Sequence, residues 1–174
     1  DAVVNCVGVL NSLGANTFEA VQSEGAGRIA RLAAAEGVQT LVQISAIGAD
    51  ASAASDYART KGEGEAAVLA AFPSAVILRP SVVFGTEDSF FNRFAAMTRL
   101  GPILPVVGAK TRFQPVLADD VAQAAVKGVL GQAAPGIYEL GGPEADSLRG
   151  LMGRMLTVVQ RRRAVVNMPF VLAR

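Results

Sequence analysis

The chain has 174 residues, 51% of them apolar, with a net charge of +1 and no histidine. That is enough apolar sequence for one sizeable core, and the near-neutral balance gives no global attraction to nucleic acid, so no nucleic-acid partner is expected. Without histidine, Ser-His-Asp and Cys-His mechanisms and most zinc sites are excluded, so no metal site is expected and tyrosine and lysine remain as the acid-base apparatus.

In chain order, Asp1-Ala-Val-Val-Asn-Cys-Val-Gly8 is a buried-strand run that opens into a loop. A dinucleotide fold should begin with a strand and a Gly-x-x-Gly-x-x-Gly or Gly-x-Gly-x-x-Gly turn whose N–H groups hold a pyrophosphate. No such turn occurs, so the sequence is expected to be a fragment that starts at the fourth strand, with the first strands and the glycine-rich turn missing. Cys6 is the only cysteine. It fits a reducing compartment and is expected to be a buried structural thiol. Ala20 to Glu36 carries apolar residues at helical spacing and stops at Gly37, a suitable C-cap. Gly25-Ala-Gly27 is preceded by helix rather than strand, so it is expected to serve close packing and not phosphate binding. Gln39-Thr-Leu-Val-Gln-Ile-Ser45 has the form of a buried parallel strand whose carboxyl end faces a ligand crevice.

Tyr57-Ala-Arg-Thr-Lys61 follows twelve residues after Ser45. Four apart on a helix, the two side chains share a face, and the ammonium can sit beneath the phenol and, with a nicotinamide ribose, stabilise phenolate. A free tyrosine, which ionises near pH 10, needs that help to act at neutrality. Tyr-x-x-x-Lys alone is common on solvated helix faces. Its context is more telling, because Ser45 precedes it at a strand end, placed to donate to a substrate carbonyl, and Ser74-Ala-Val-Ile-Leu-Arg-Pro80 follows as another buried strand. Strand, helix, strand, helix, strand in that order implies a parallel sheet with right-handed crossovers. Pro80 lacks an N–H and ends its strand, leaving backbone donors in Ser81 to Phe84 to bind a nicotinamide carboxamide or to form an ordinary loop exit.

Asp88 to Leu100 reads as a helix with Phe90, Phe91, Phe94 and Met97 as a core-packing stripe, and Gly101-Pro-Ile-Leu-Pro105 as a turn-rich exit. Asp119 and Asp120 stand at a helix start, where carboxylates cap N–H groups. That helix should run to about Leu130. Gly136 to Gly141 reads as a strand, Ser147 to Gln160 as a helix capped by Ser147, and Val165 to Phe170 as a short extended segment. Gln160-Arg-Arg-Arg163 is a basic run, expected as a solvated helix end, with an acidic partner or lipid headgroups as the alternative. No run reaches the roughly 18 residues of a bilayer span. Nothing resembles a signal peptide, and the chain reads as soluble.

Asp1 to Gly8, Ile44-Ser45-Ala, Tyr57-x-x-x-Lys61, Arg79-Pro80-Ser-x-x-Phe84-Gly85 and Asp119-Asp120-Val-Ala, in this order, resemble an extended or atypical short-chain dehydrogenase/reductase. More closely, Phe72 to Pro80, Phe84-Gly-Thr-Glu-Asp-Ser-Phe-Phe-Asn92, Leu100-Gly-Pro-Ile-Leu-Pro and Gln114-Pro-Val resemble the nucleotide-binding accessory subunit family of complex I (NADH:ubiquinone oxidoreductase) and its bacterial relatives. The resemblance implies an α/β, Rossmann-type doubly wound parallel sheet, here N-terminally truncated, with a small C-terminal lobe. Residues 1–174 would be the C-terminal part of one NAD(P)-binding domain, with 86–118 and 142–174 contributing to the small lobe. It also implies bound NADP(H) or NAD(H). Asn5, Cys6, Val7 and Gly8 would line the adenine and ribose side, Ser45, Tyr57 and Lys61 the nicotinamide side, and Pro80, Ser81, Val82 and Val83 the carboxamide. Complex I subunits would be partners, and the place would be the cytoplasm, at the inner face of the energy-conserving membrane, or the mitochondrial matrix side. Two functions stay open: a module that holds a structural cofactor, and a free-standing oxidoreductase or epimerase in which Ser45, Tyr57 and Lys61 are catalytic.

Overall fold

The structure, a computed structural model, describes residues 1–169. Its elements in order are β1 (Ala2–Asn5), a π-helix (Glu19–Gly25), α1 (Ala26–Ala35), β2 (Thr40–Ile44), α2 (Asp56–Ala71), β3 (Val76–Pro80), β4 (Val83–Phe84), α3 (Phe90–Met97), β5 (Ile103–Val107), β6 (Arg112–Phe113), β7 (Val116–Leu117), α4 (Ala118–Val129), β8 (Gly136–Leu140), β9 (Asp146–Ser147), α5 (Leu148–Val158) and β10 (Ala164–Met168). The described residues form two compact units, one of Asp1–Pro80 with Asp120–Leu140, the other of Ser81–Asp119 with the described residues from Gly141 on.

The first unit is built on a four-stranded parallel sheet in the order β1-β2-β3-β8. Both faces are covered, which is why its central strands are nearly continuous apolar runs. Leu41 packs with Ala26, Ala30 and Ala33 of α1 and Val68 of α2. Val42, Val76 and Leu78 pack with Ala125 of α4. The chain is thus an α/β protein of Rossmann type with helices on both sides of a parallel sheet. β1 is an edge strand among the described residues, and Val4 on it is exposed. The helix expected over Ala20 to Glu36 is present but opens with seven residues of π-helix. Its glycines serve contact, as expected: a Cβ on Gly27 would lie 3.0 Å from the Ala67 Cβ. Gly37 follows the helix with φ of +68°, a conformation that favours glycine.

The second unit holds its own core. Leu104 and Val106 alternate inward from β5 against Leu148, Leu151, Met152, Met155 and Leu156 of α5, with Phe90, Phe91, Phe94 and Met97 of α3 packed on them. Phe90 meets Phe91 and Phe94 edge-on, at centroid distances of 5.1 and 5.4 Å. The stripe on α3 is therefore core, as expected. Gly101 to Pro105 differs from expectation, because Ile103–Val107 is a strand paired in parallel with Ala164–Met168. Its prolines read locally as a turn, but an edge position tolerates the missing N–H of Pro105. Of the extended segment expected over Val165 to Phe170, Phe170 lies outside the described residues. Ser147 caps α5 by accepting from the Gly150 N–H at 3.1 Å. Asp119 and Asp120 lie in the first turn of α4, which starts at Ala118, where their charge still favours the helix dipole.

The basic run is not a solvated helix end. The Arg161 guanidinium donates to the Ala95 carbonyl at 3.1 Å and to Thr98 Oγ1 at 2.6 Å, and Arg163 Nε donates to the Thr98 carbonyl at 2.9 Å. Two arginines therefore satisfy carbonyls at the carboxyl end of α3, where positive charge is favourable. Arg161→Ala is expected to cost about 1.5–3 kcal/mol by urea unfolding, whereas Arg162→Ala, at an exposed position, should change stability by less than about 0.5 kcal/mol. Equal effects would refute the capping role.

Candidate functional site

Parallel strands end together, and the carboxyl ends of β1, β2 and β3 bring Asn5, Ser45 and Pro80 to one edge of the sheet. Asn5 is buried. Its Nδ2 donates to Gln43 Oε1 at 2.7 Å, Gln43 Nε2 donates to the Ile44 carbonyl at 2.9 Å, and Asn5 Oδ1 accepts from the Val7 N–H at 3.1 Å. This satisfied network pins the start of the loop Cys6-Val7-Gly8, which is exposed. Cys6 was expected to be buried and is not, because β1 ends at Asn5 and the thiol falls in the loop beyond.

Helix α2 supplies the other wall. Ser55 begins it in extended conformation. Arg59 bonds Glu19 of the π-helix at 2.9 Å and Glu63 one turn on at 2.7 Å, fixing which face turns outward. The opposite face carries Tyr57, Lys61 and Glu65 at helical spacing. Tyr57 is half-buried, with its ring edge-on to Phe18 at 5.9 Å. Lys61 is only 8% exposed, and its Nζ lies 3.2 Å from where a Cβ on Gly8 would stand. Gly8 thus lets the ammonium approach the loop backbone. Two glycines in α2 admit neighbours just as closely: a Cβ on Gly62 would fall 2.3 Å from the Ala51 nitrogen, and one on Gly64 2.0 Å from the Gln22 carbonyl.

Burial pushes the Tyr57 phenol up from its ordinary value. The lowering expected from Lys61 was for a site that also holds a nicotinamide ribose. Burial pushes the Lys61 ammonium down, with the Glu65 carboxylate opposing that shift. Burial thus works against charge on both groups.

Ser45 is buried, and its hydroxyl donates to Glu65 Oε1 rather than pointing a donor outward. Arg79 holds the same carboxylate through Nε to Oε1 at 2.9 Å and Nη2 to Oε2 at 2.6 Å. Pro80 is buried in β3, and its carbonyl accepts from the Ile47 N–H at 3.1 Å. Ser81, Val82 and Val83 belong to the second unit, where the Val82 carbonyl accepts from the Val116 N–H at 3.0 Å and Val83 pairs with Val116. Glu65, Gln43 and Gln22 are the polar residues that sequence reasoning missed. The signal for Glu65 was its place four residues after Lys61. A glutamine inside the apolar run of β2 was the signal for Gln43.

Parallel strand ends, a tyrosine and lysine on one helix face and a glycine loop beside the ammonium define a short-chain dehydrogenase/reductase-like Rossmann unit. The chain belongs to the RmlD substrate binding domain family, which it matches over residues 14–152. It is 33% identical over 178 residues to the mitochondrial NADH dehydrogenase (ubiquinone) 1 alpha subcomplex subunit 9 of Arabidopsis thaliana, covering 100% of this chain and 44% of that protein. To the ceramide reductase of Caulobacter vibrioides it is 30% identical over 122 residues, covering 70% of this chain and 38% of that protein. The chain spans less than half the length of these relatives. It superposes with a TM-score of 0.83 on the dTDP-4-dehydrorhamnose reductase of Bacillus anthracis solved in complex with NADP, at 16% identity, covering 99% of this chain and 66% of that one. At that identity the likeness concerns the fold.

Proposed function

We propose that this chain is part of a subunit that holds a nicotinamide dinucleotide, NADP(H) or NAD(H), as an accessory module of a complex I-like assembly. The observation that carries the reading is the buried Lys61 ammonium against Gly8, beside Tyr57 and at the carboxyl ends of β1 and β2. The residues fit such a group. Lys61 would bond ribose hydroxyls, the exposed backbone of Cys6 to Gly8 would line the adenine and ribose side, and Tyr57 would face the nicotinamide. Pro80, at the carboxyl end of β3, is the proposed carboxamide contact in this unit. The cofactor, when bound, can supply hydride transfer. In this reading the cofactor is held for structure. The similarity to a mitochondrial NADH dehydrogenase subunit supports the assembly; a place at the inner face of the energy-conserving membrane is part of the same proposal. None of the described helices is long and apolar enough to cross a membrane; the attachment we propose is peripheral.

A second reading, a free-standing NAD(P)-dependent oxidoreductase or epimerase, is favoured by the retained Tyr57 and Lys61 and by the similarity to a reductase. In that reading Tyr57 moves a proton and Lys61 holds the ribose.

Purification of the full-length protein from its own membranes separates the two. The accessory reading expects complex I subunits to copurify and a nicotinamide dinucleotide to be released only on denaturation. Its bound form should also slow alkylation of Cys6, which is exposed in the proposed cofactor loop. Recovery of the whole protein free of those subunits, with a cofactor that exchanges freely, would support the second reading and remove the first.

A further inference from the structure

Ser45, Glu65, Arg79 and Glu139 form a chain of polar contacts across the carboxyl ends of three adjacent strands. The Ser45 hydroxyl donates to Glu65 Oε1, Arg79 grips both Glu65 oxygens, and Arg79 Nη1 lies 3.6 Å from Glu139 Oε1. Ser45 directly follows β2, Arg79 lies in β3, Glu139 in β8, and Glu65 reaches them from α2. Glu65 is 4% exposed and Ser45 5% exposed.

A serine has one hydrogen to give. Here it goes to a buried carboxylate that Arg79 holds in place, a charge-assisted bond stronger than one to a neutral carbonyl. Turning Ser45 toward a substrate carbonyl would strip a buried charge of a donor. The residues that follow it, Ala46, Ile47 and Gly48, carry no hydroxyl. Ser52 donates its hydroxyl to Asp50 at 2.7 Å, and Thr60 donates to the Asp56 carbonyl at 2.7 Å.

We propose that Glu65 is a positioning residue that takes Ser45 out of the acid-base set and ties α2 to the ends of β2 and β3, so that Tyr57 and Lys61 stand in the pocket as a pair without a hydroxyl donor from β2. The inference rests on the cofactor reading of that pocket and deepens it. Such a site can bind a dinucleotide and offer a phenol proton, but β2 supplies nothing to polarise a carbonyl. Ser45 acts through Glu65 and not on a ligand.

The test uses the full-length protein. Ser45→Ala should lower the melting temperature equally with and without NADPH and leave the NADPH dissociation constant within about threefold. Glu65→Leu combined with Arg79→Met exchanges the buried ion pair for apolar side chains, a swap that usually preserves the fold. It should keep the melting temperature yet weaken NADPH binding by about tenfold, since Lys61 and Tyr57 lose their placement. Unchanged affinity in that double variant would overturn the proposal. So would a fall of about a hundredfold in NADPH affinity or carbonyl turnover in Ser45→Ala at an unchanged melting temperature. Should the wild-type protein bind no NADPH, the cofactor reading fails, and the tie is read from stability alone. Ser45→Ala and Glu65→Gln together must then lose less than the sum of their separate losses, and strict additivity refutes the tie.

Discussion

Gly64→Ala is expected to destabilise the full-length protein by at least about 2 kcal/mol, although the same change in an open helix stabilises by about 1 kcal/mol. The Cβ would fall 2.0 Å from the Gln22 carbonyl oxygen, and that oxygen is backbone, so no flexible side chain can swing aside. The π-helix it belongs to would have to withdraw from α2, loosening Phe18 on Tyr57 and the Arg59–Glu19 pair. Gly153→Ala is the control. It lies in α5 with nothing within 4 Å of the added methyl, and should stabilise by about 0.5–1 kcal/mol. Urea unfolding of both variants measures the contrast. A neutral Gly64→Ala would mean that the two helices are not held this closely.

Much of the fold could be read because its local signals and its packing agree. The strands ending at Ser45 and Pro80 are buried on both faces, so their apolar runs identify them without periodicity. The α3 stripe, the Ser147 cap and the close-packing reading of Gly25-Ala-Gly27 also match what those residues do. Two of the failures share a cause, which is that partners distant in sequence decide the outcome. Gly101 to Pro105 contains turn residues, yet β5 forms because β10, some sixty residues on, pairs with it. Arg161 and Arg163 look solvated until α3 presents its end carbonyls to them.

At the site, the helical spacing of Tyr57 and Lys61 was legible because it is local. Whether Ser45 gives its hydrogen to a ligand or to the protein was not. That depends on Glu65, twenty residues away, and on Arg79, which secures Glu65. A hydroxyl at a strand end is equally suited to either task, and only the fold chooses between them. Burial of the Tyr57 phenol was not legible either: spacing shows that a lysine shares the helix face, but burial depends on what packs over the ring.

Lys61→Met and Tyr57→Phe are expected to separate holding the cofactor from acting with it. Lys61 is a buried cation whose nearest countercharge, Glu65, is already bound by Arg79 and Ser45. Methionine keeps the chain length without the charge, so Lys61→Met should weaken NADPH binding to the full-length protein by about 10- to 100-fold, the loss of a charge-assisted bond to a ribose oxygen. The same variant should be more stable without NADPH. Because burial lowers the folded-state value of Lys61 below its ordinary 10.5, the unfolded chain binds the proton more readily in the alkaline range between the two, and wild-type stability rises with pH there. Tyr57 acts the other way: burial raises its folded-state value above the ordinary 10.0, so the unfolded chain loses the proton first and stability falls as pH rises past 10.0. Lys61→Met therefore loses the alkaline rise and keeps the fall. Tyr57→Phe leaves the ammonium in place, so NADPH affinity should stay within about threefold while any proton-coupled turnover drops by about 100-fold or more. Titration with NADPH and urea unfolding from pH 7 upward read both variants. Undiminished NADPH affinity in Lys61→Met would remove the ammonium from the binding site, and with it the observation on which the proposed function stands.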